Sequence, residues 1–193
     1  LAHVTCVGNR AADILETIDA LKANNVTNIL ALRGDRPKDM TDEQFHSREF
    51  VHASDMIRYL KDHTDMYIAG ACYPEKHEEA PNIDQDIYWL KKKVEAGAEY
   101  AVTQLFYDNR KYFQFVEKVR AAGINIPIIP GIKPFRKQSQ LSVIPKTFKV
   151  DIPQELALEA LKCTTEKETE RLGIEWCIQQ CKELIEHGVP SIH

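Results

Sequence analysis

The chain has 193 residues, 44% of them hydrophobic and 28% charged, with a formal net charge of -4. This is the make-up of an ordinary globular domain, with one good core or a share of a larger one. The acidic balance argues against a nucleic-acid or anionic-membrane partner, both of which require a basic face, and no apolar run approaches the ~18 residues of a membrane span.

The first apolar run, AHVTCV at 2–7, reads as a strand carrying His3, Thr5 and Cys6. A lone histidine on such a run is more often a satisfied core residue than a functional one. Residues 11–25 put Ile14, Ile18 and Leu21 on one stripe, the pattern of an amphipathic helix. A second strand, NILAL at 28–32, breaks into Arg33-Gly34-Asp35 and then Arg36-Pro37. Gly34 permits a turn and a close approach of backbone to a ligand, with Arg33 and Asp35 pointing off the strand end. The plainer reading is an ion pair that merely finishes the strand.

A helix is expected at 47–63, then a strand MYIAGACY from Met66 that Tyr73 and Pro74 close. Glu75 and His77 follow, too sparse for a metal site and read as solvated loop. The next helix, 82–97, stops at Gly97 and carries Asp86 and the run Lys91-Lys92-Lys93. Such a run is ordinarily a solvated face, unless a phosphate-bearing ligand lies at its end. The fourth strand, YAVTQLFY from Tyr100, sets Gln104 among Val102, Leu105 and Phe106. A buried amide needs hydrogen bonds, so Gln104 points to a polar partner such as a bound ring system. A helix at 110–123 ending at Gly123, a strand IPIIPGI at 126–132 and a helix at 166–188 complete the pattern. The closing VPSIH reads as the start of another strand. Five cysteines at irregular spacing fit no disulfide framework or zinc module and point to a reducing cytoplasm. Cys177 and Cys181, on one helix face, read as small apolar residues.

The strand starts fall about 25 to 40 residues apart, close to the ~30 of a βα unit. Their runs are continuous rather than alternating, as in parallel strands covered on both faces. Two architectures remain: a doubly wound sheet or a (β/α)8 barrel. The first βα turn, TCVGNRAAD, lacks the glycine pattern of dinucleotide binding. Polar residues instead recur at the carboxyl ends of successive strands, which favours the barrel. The expectation is an α/β (β/α)8 TIM barrel, with about six of its eight units in one partial domain over 1–193, and about two strands lying ahead of Leu1. No lysine falls inside a predicted strand, which counts against Schiff-base chemistry.

The motifs HVTC, ALRGD, YPEKHEEA, KKKVEAGAEYAVTQLFYD and PIIPGI, in this order, resemble the methylenetetrahydrofolate reductase family over nearly the whole chain. The resemblance implies a flavoprotein that moves hydride from NADH or NADPH to FAD, and from reduced FAD to 5,10-methylenetetrahydrofolate. It also implies a cytoplasmic homo-oligomer in one-carbon and methionine metabolism. By motif match, His3, Arg33, Gly34, Asp35, Ala53, Tyr73, His77, Ala80, Asp86 and Lys93 would line the FAD site. Lys92 occupies a position where the family also uses a basic residue, and Gln104 would bond the folate pterin. Asp35 would serve both flavin and substrate, its negative charge making the reduced flavin the better donor and favouring a cationic form of the folate. The family's general-acid glutamate belongs to a first barrel strand that this sequence does not contain, so the fragment alone would be inactive. A competing reading is a non-catalytic flavin- or folate-binding relative, or a partner subunit of such a reductase. Lys133 in GIKPF and the following RKQSQLS depart from the family pattern.

Overall fold

A computed structural model describes residues 1–193. Strands and helices alternate: β1 (Ala2–Thr5), α1 (Ala11–Ala23), β2 (Asn28–Leu32), α2 (Asp42–His46), α3 (Ala53–His63), β3 (Tyr67–Cys72), α4 (Ile83–Glu95), β4 (Tyr100–Thr103), α5 (Asn109–Ala121), β5 (Ile128–Ile129), α6 (Gln140–Phe148), α7 (Gln154–Lys162) and α8 (Glu166–Glu186). The sheet order is β1-β2-β3-β4-β5. β1–β2 and β2–β3 run parallel, with His3 beside Leu30 and Leu30 beside Ala69. A doubly wound sheet reverses its strand order at a switch point; here each strand lies beside its sequence neighbour, as in a (β/α)8 barrel. This is the expected fold class.

Contacts gather the chain into two units, Leu1–Ala71 with Tyr88–Ala101, and Cys72–Ile87 with Val102–His193. In the first unit, alternate strand residues Val4, Cys6, Ile29, Ala31 and Ile68 pack on Ile14 and Ile18 of α1 and on Met56, Ile57 and Leu60 of α3. The β1–β2 ladder continues past the strands, Cys6 N–H donating to Leu32 O at 3.0 Å and Val7 N–H to Arg33 O at 2.8 Å. The helix expected at 47–63 begins only at Ala53, because Asp55 draws the N–H groups of Val51 and His52 onto its carboxylate at 3.0 and 2.8 Å and so fixes the first turn there. A separate short helix, α2, precedes it. Thr41 and Gln44 cap it reciprocally, side chain to backbone, at 3.2 and 2.9 Å.

In the second unit, Leu105, Tyr107, Phe135, Ile144, Val150, Leu156 and Ala160 form a core. Helices α6 and α7 escaped the sequence reading. Each spans only nine residues, and Pro145 interrupts α6, so neither offers enough period to stand out from loop. β5 is just Ile128–Ile129, since Pro127 and Pro130 flank it without N–H groups. The expected further strand is visible as its first ladder bonds: His193 N–H donates to Pro130 O at 3.0 Å and accepts at its own carbonyl from Ile132 N–H at 2.8 Å.

Gly173 lets α8 lie against the backbone at Phe135, where a Cβ would fall 1.5 Å from the carbonyl oxygen. Gly173→Ala should destabilise the protein by about 3 kcal/mol or more, read as the denaturant midpoint; an unchanged midpoint would refute this packing. The Tyr107 hydroxyl is buried without a hydrogen-bond partner, and burial pushes its pKa up to about 12. Tyr107→Phe should therefore raise stability by about 1 kcal/mol by removing a desolvated donor, which the same titration would measure.

Candidate functional site

In the first unit, Arg33, Gly34 and Asp35 follow directly on the end of β2, whereas His3 lies within β1, in register with Leu30. His3 is exposed on β1. Gly34 adopts φ +87 and packs so closely on β1 that a Cβ would stand 3.0 Å from Thr5 Cβ. Only glycine takes that conformation without strain, and its positive φ turns the chain off β2. Asp35, the next residue, is exposed. Arg33 is half-buried, its Nε donating to Gly34 O at 3.4 Å and its guanidinium 5.9 Å from the Phe45 ring. Arg36 and Arg48 share that ring, at 5.1 and 3.7 Å. The sequence does not announce the Phe45 cluster, because Arg33 and Arg36 come from the turn after β2 while Arg48 follows α2. Cys6 is buried beneath the turn with its Sγ–H directed to Arg33 O at 3.5 Å, and burial raises its thiol pKa.

Ala53 is the buried first residue of α3. The two lysines differ sharply. Lys92 pairs with Glu95 at 2.7 Å on the surface and lies 5.5 Å from the Tyr88 ring. Lys93 folds its stem over Gly70, where a Cβ would meet its Cδ at 3.1 Å, and donates to Ala71 O at 2.7 Å near the carboxyl end of β3. The helix register thus separates a solvated lysine from one carried to a strand end.

In the second unit, the turn after β3 brings Tyr73, His77, Ala80 and Asp86 together. Lys76 N–H closes the turn on Tyr73 O at 3.1 Å, and Pro74 presets its second position. The Tyr73 and His77 rings meet edge to face at 4.7 Å. The backbone N–H of His77 donates to the buried carboxylate of Asp86 at 2.5 Å. His77 Nδ1 accepts from Glu79 N–H at 3.1 Å, which leaves the proton of the neutral ring on Nε2. Lys76 Nζ bonds the carbonyls of His77 and Ala80 at 3.2 and 2.7 Å. Gln104 is half-buried just past β4, with its Oε1 accepting from Leu105 N–H at 3.0 Å.

Glu75 corrects the expectation of a solvated loop. Its side chain is only 6% exposed; Oε2 lies 3.2 Å from Lys111 Nζ and accepts Asp151 N–H at 3.1 Å. Oε1 is buried with no partner. Burial pushes the carboxyl above its usual range, opposed by the Asp151 N–H and Lys111. The sequence hid this because its partners stand 36 and 76 residues along the chain.

The succession of strands, each beside its sequence neighbour, defines a (β/α)-barrel protein. The methylenetetrahydrofolate reductase family model matches residues 1–193, and the chain belongs to that family. It is 41% identical over 198 residues to methylenetetrahydrofolate reductase 1 of Schizosaccharomyces pombe, covering 99% of this chain and 32% of that one. Against the probable methylenetetrahydrofolate reductase (NADPH) of Caenorhabditis elegans identity is 37%, over all of this chain and 29% of the relative. For 5,10-methylenetetrahydrofolate reductase of Escherichia coli it is 35%, over 99% and 63%. The chain thus spans about a third of the eukaryotic relatives. A solved Clostridium thermocellum protein, described as binding two copies of 5-methyl-5,6,7,8-tetrahydrofolic acid, shares the fold, with TM-score 0.52, 15% identity and coverage of 99% and 86%.

Because burial raises Glu75 above its unfolded value of 4.5, its neutral form is favoured on folding. Its contribution is therefore present at low pH and is lost as pH rises through the folded pKa. Denaturant midpoints from acid to neutral pH should fall more steeply in the wild type than in Glu75→Gln. Parallel profiles would refute the shift.

Proposed function

We propose that this chain is the catalytic-barrel segment of a flavoprotein that reduces 5,10-methylenetetrahydrofolate to 5-methyltetrahydrofolate with NADH or NADPH. The observation that carries this reading is the turn at the end of β2. A glycine at φ +87 leaves the chain off a buried strand and delivers the exposed carboxylate of Asp35 to the rim. The folate named for the Clostridium thermocellum structure supports the substrate class. Relatives named for NADPH and for NADH leave both donors in place.

The donor set fits FAD. Lys93 and Arg33 supply cationic donors suited to a pyrophosphate, and Gly34 provides a surface without a side chain. Bound FAD supplies hydride transfer between nicotinamide and folate. The chain's own residues hold and tune it: His3, Arg33, Gly34, Asp35, Ala53 and Lys93 from the first unit, and Tyr73, His77, Ala80 and Asp86 from the second. Lys92, already paired with Glu95, adds positive charge at the surface. Gln104 offers its amide to the pterin. The Asp35 carboxylate favours a cationic folate.

Asp35→Asn in the full-length protein should retain flavin. It should slow reoxidation of the flavin by folate by about tenfold or more, and slow reduction by NAD(P)H far less. Stopped-flow absorbance resolves the two half-reactions. Equal loss in both would remove Asp35 from the substrate step.

A further inference from the structure

Glu75 sits at the third position of the Tyr73–Lys76 turn, between the two aromatic rings assigned above to the flavin. Its carboxylate faces away from solvent and ties the turn to two distant segments: Lys111 in the first turn of α5, and the backbone of Asp151 between α6 and α7. Net stability is a poor reason for such a group. A buried carboxylate must be stripped of water, and its Oε1 regains nothing in exchange. Lys111 does not depend on it, since Asp151 Oδ2 lies 3.0 Å from the same ammonium and is the largest contributor to raising the lysine pKa. An amide of the same size would fill the space at lower electrostatic cost.

What the carboxylate does supply is a strong acceptor that takes an ammonium and a backbone N–H at once, from two directions. That fixes the rotation of the turn about the β3 end. The turn needs fixing, because Lys76 occupies the left-handed region at φ +79, where a residue with a side chain is strained. Asp86 holds His77 from the following helix, while Glu75 holds the turn on the side of α5. Tyr73 and His77, one residue either side of the Pro74–Lys76 segment, are thereby clamped at both ends.

We propose that Glu75 is a positioning residue for the flavin site: its buried ion pair orients Tyr73 and His77 at a net cost to the stability of the fold. This rests on the flavin reading above. The test uses the full-length protein stripped of flavin, with FAD affinity read by fluorescence quenching and the unfolding midpoint read in parallel. Glu75→Gln should weaken FAD binding by about tenfold near neutral pH while leaving the midpoint unchanged or higher. Glu78→Gln, which breaks only the exposed pair with Lys149 at 3.4 Å in the same loop, should change neither. Unaltered FAD affinity in Glu75→Gln, or a loss accompanied by a lower midpoint, would overturn the positioning role. Wild-type protein that takes up no FAD would instead overturn the flavin reading beneath it.

Discussion

The site depends on the absence of a side chain at one position. The β1–β2 ladder runs two bonds beyond its strands, to Leu32 O and Arg33 O, and holds the chain flush against β1 until Gly34. There Thr5 occupies the space that any Cβ would need, and φ of +87 completes the exclusion of other residues. The buried strand and the exposed carboxylate of Asp35 are thus joined by a single step. A strand that ended one residue earlier or later would put Asp35 on the opposite face, since side chains alternate along it.

The second unit shapes its turn by another device. No glycine lies between Tyr73 and Asp86, and the turn is shaped by Pro74, a strained Lys76 and three anchors: the Asp86 carboxylate, the Lys76 ammonium and the Glu75 carboxylate. Rigid side-chain bonding substitutes for backbone permissiveness. Charge-assisted bonds are directional enough to hold a loop against its own conformational entropy, and here they act where burial shields them from water.

β2 was legible to its last residue, because NILAL is bounded by an asparagine and by Arg33-Gly34. Gly97 and Gly123 mark helix ends in the sequence, and both take positive φ. The Lys92–Lys93 contrast was not legible. Neighbouring lysines look alike in sequence: Lys92 pairs with Glu95 one turn along its own helix, while only the placement of α4 beside β3 sends Lys93 to Ala71 O. Glu75 was misread for the same reason: a charged residue after a proline resembles solvated loop until its partners arrive.

The sequence by itself determined the α/β class, the succession of strands and the positions where strands end in polar residues, because these follow from local apolar runs, glycines and prolines. Family membership was equally local, carried by short motifs in order. Only the tertiary structure decided which charges are buried, which lysine serves a strand end and which arginines share the Phe45 ring. The burial of Glu75 and the course of Lys93 depend on groups 20 or more residues apart meeting where water is partly excluded, and there a pairing that costs little in water becomes decisive.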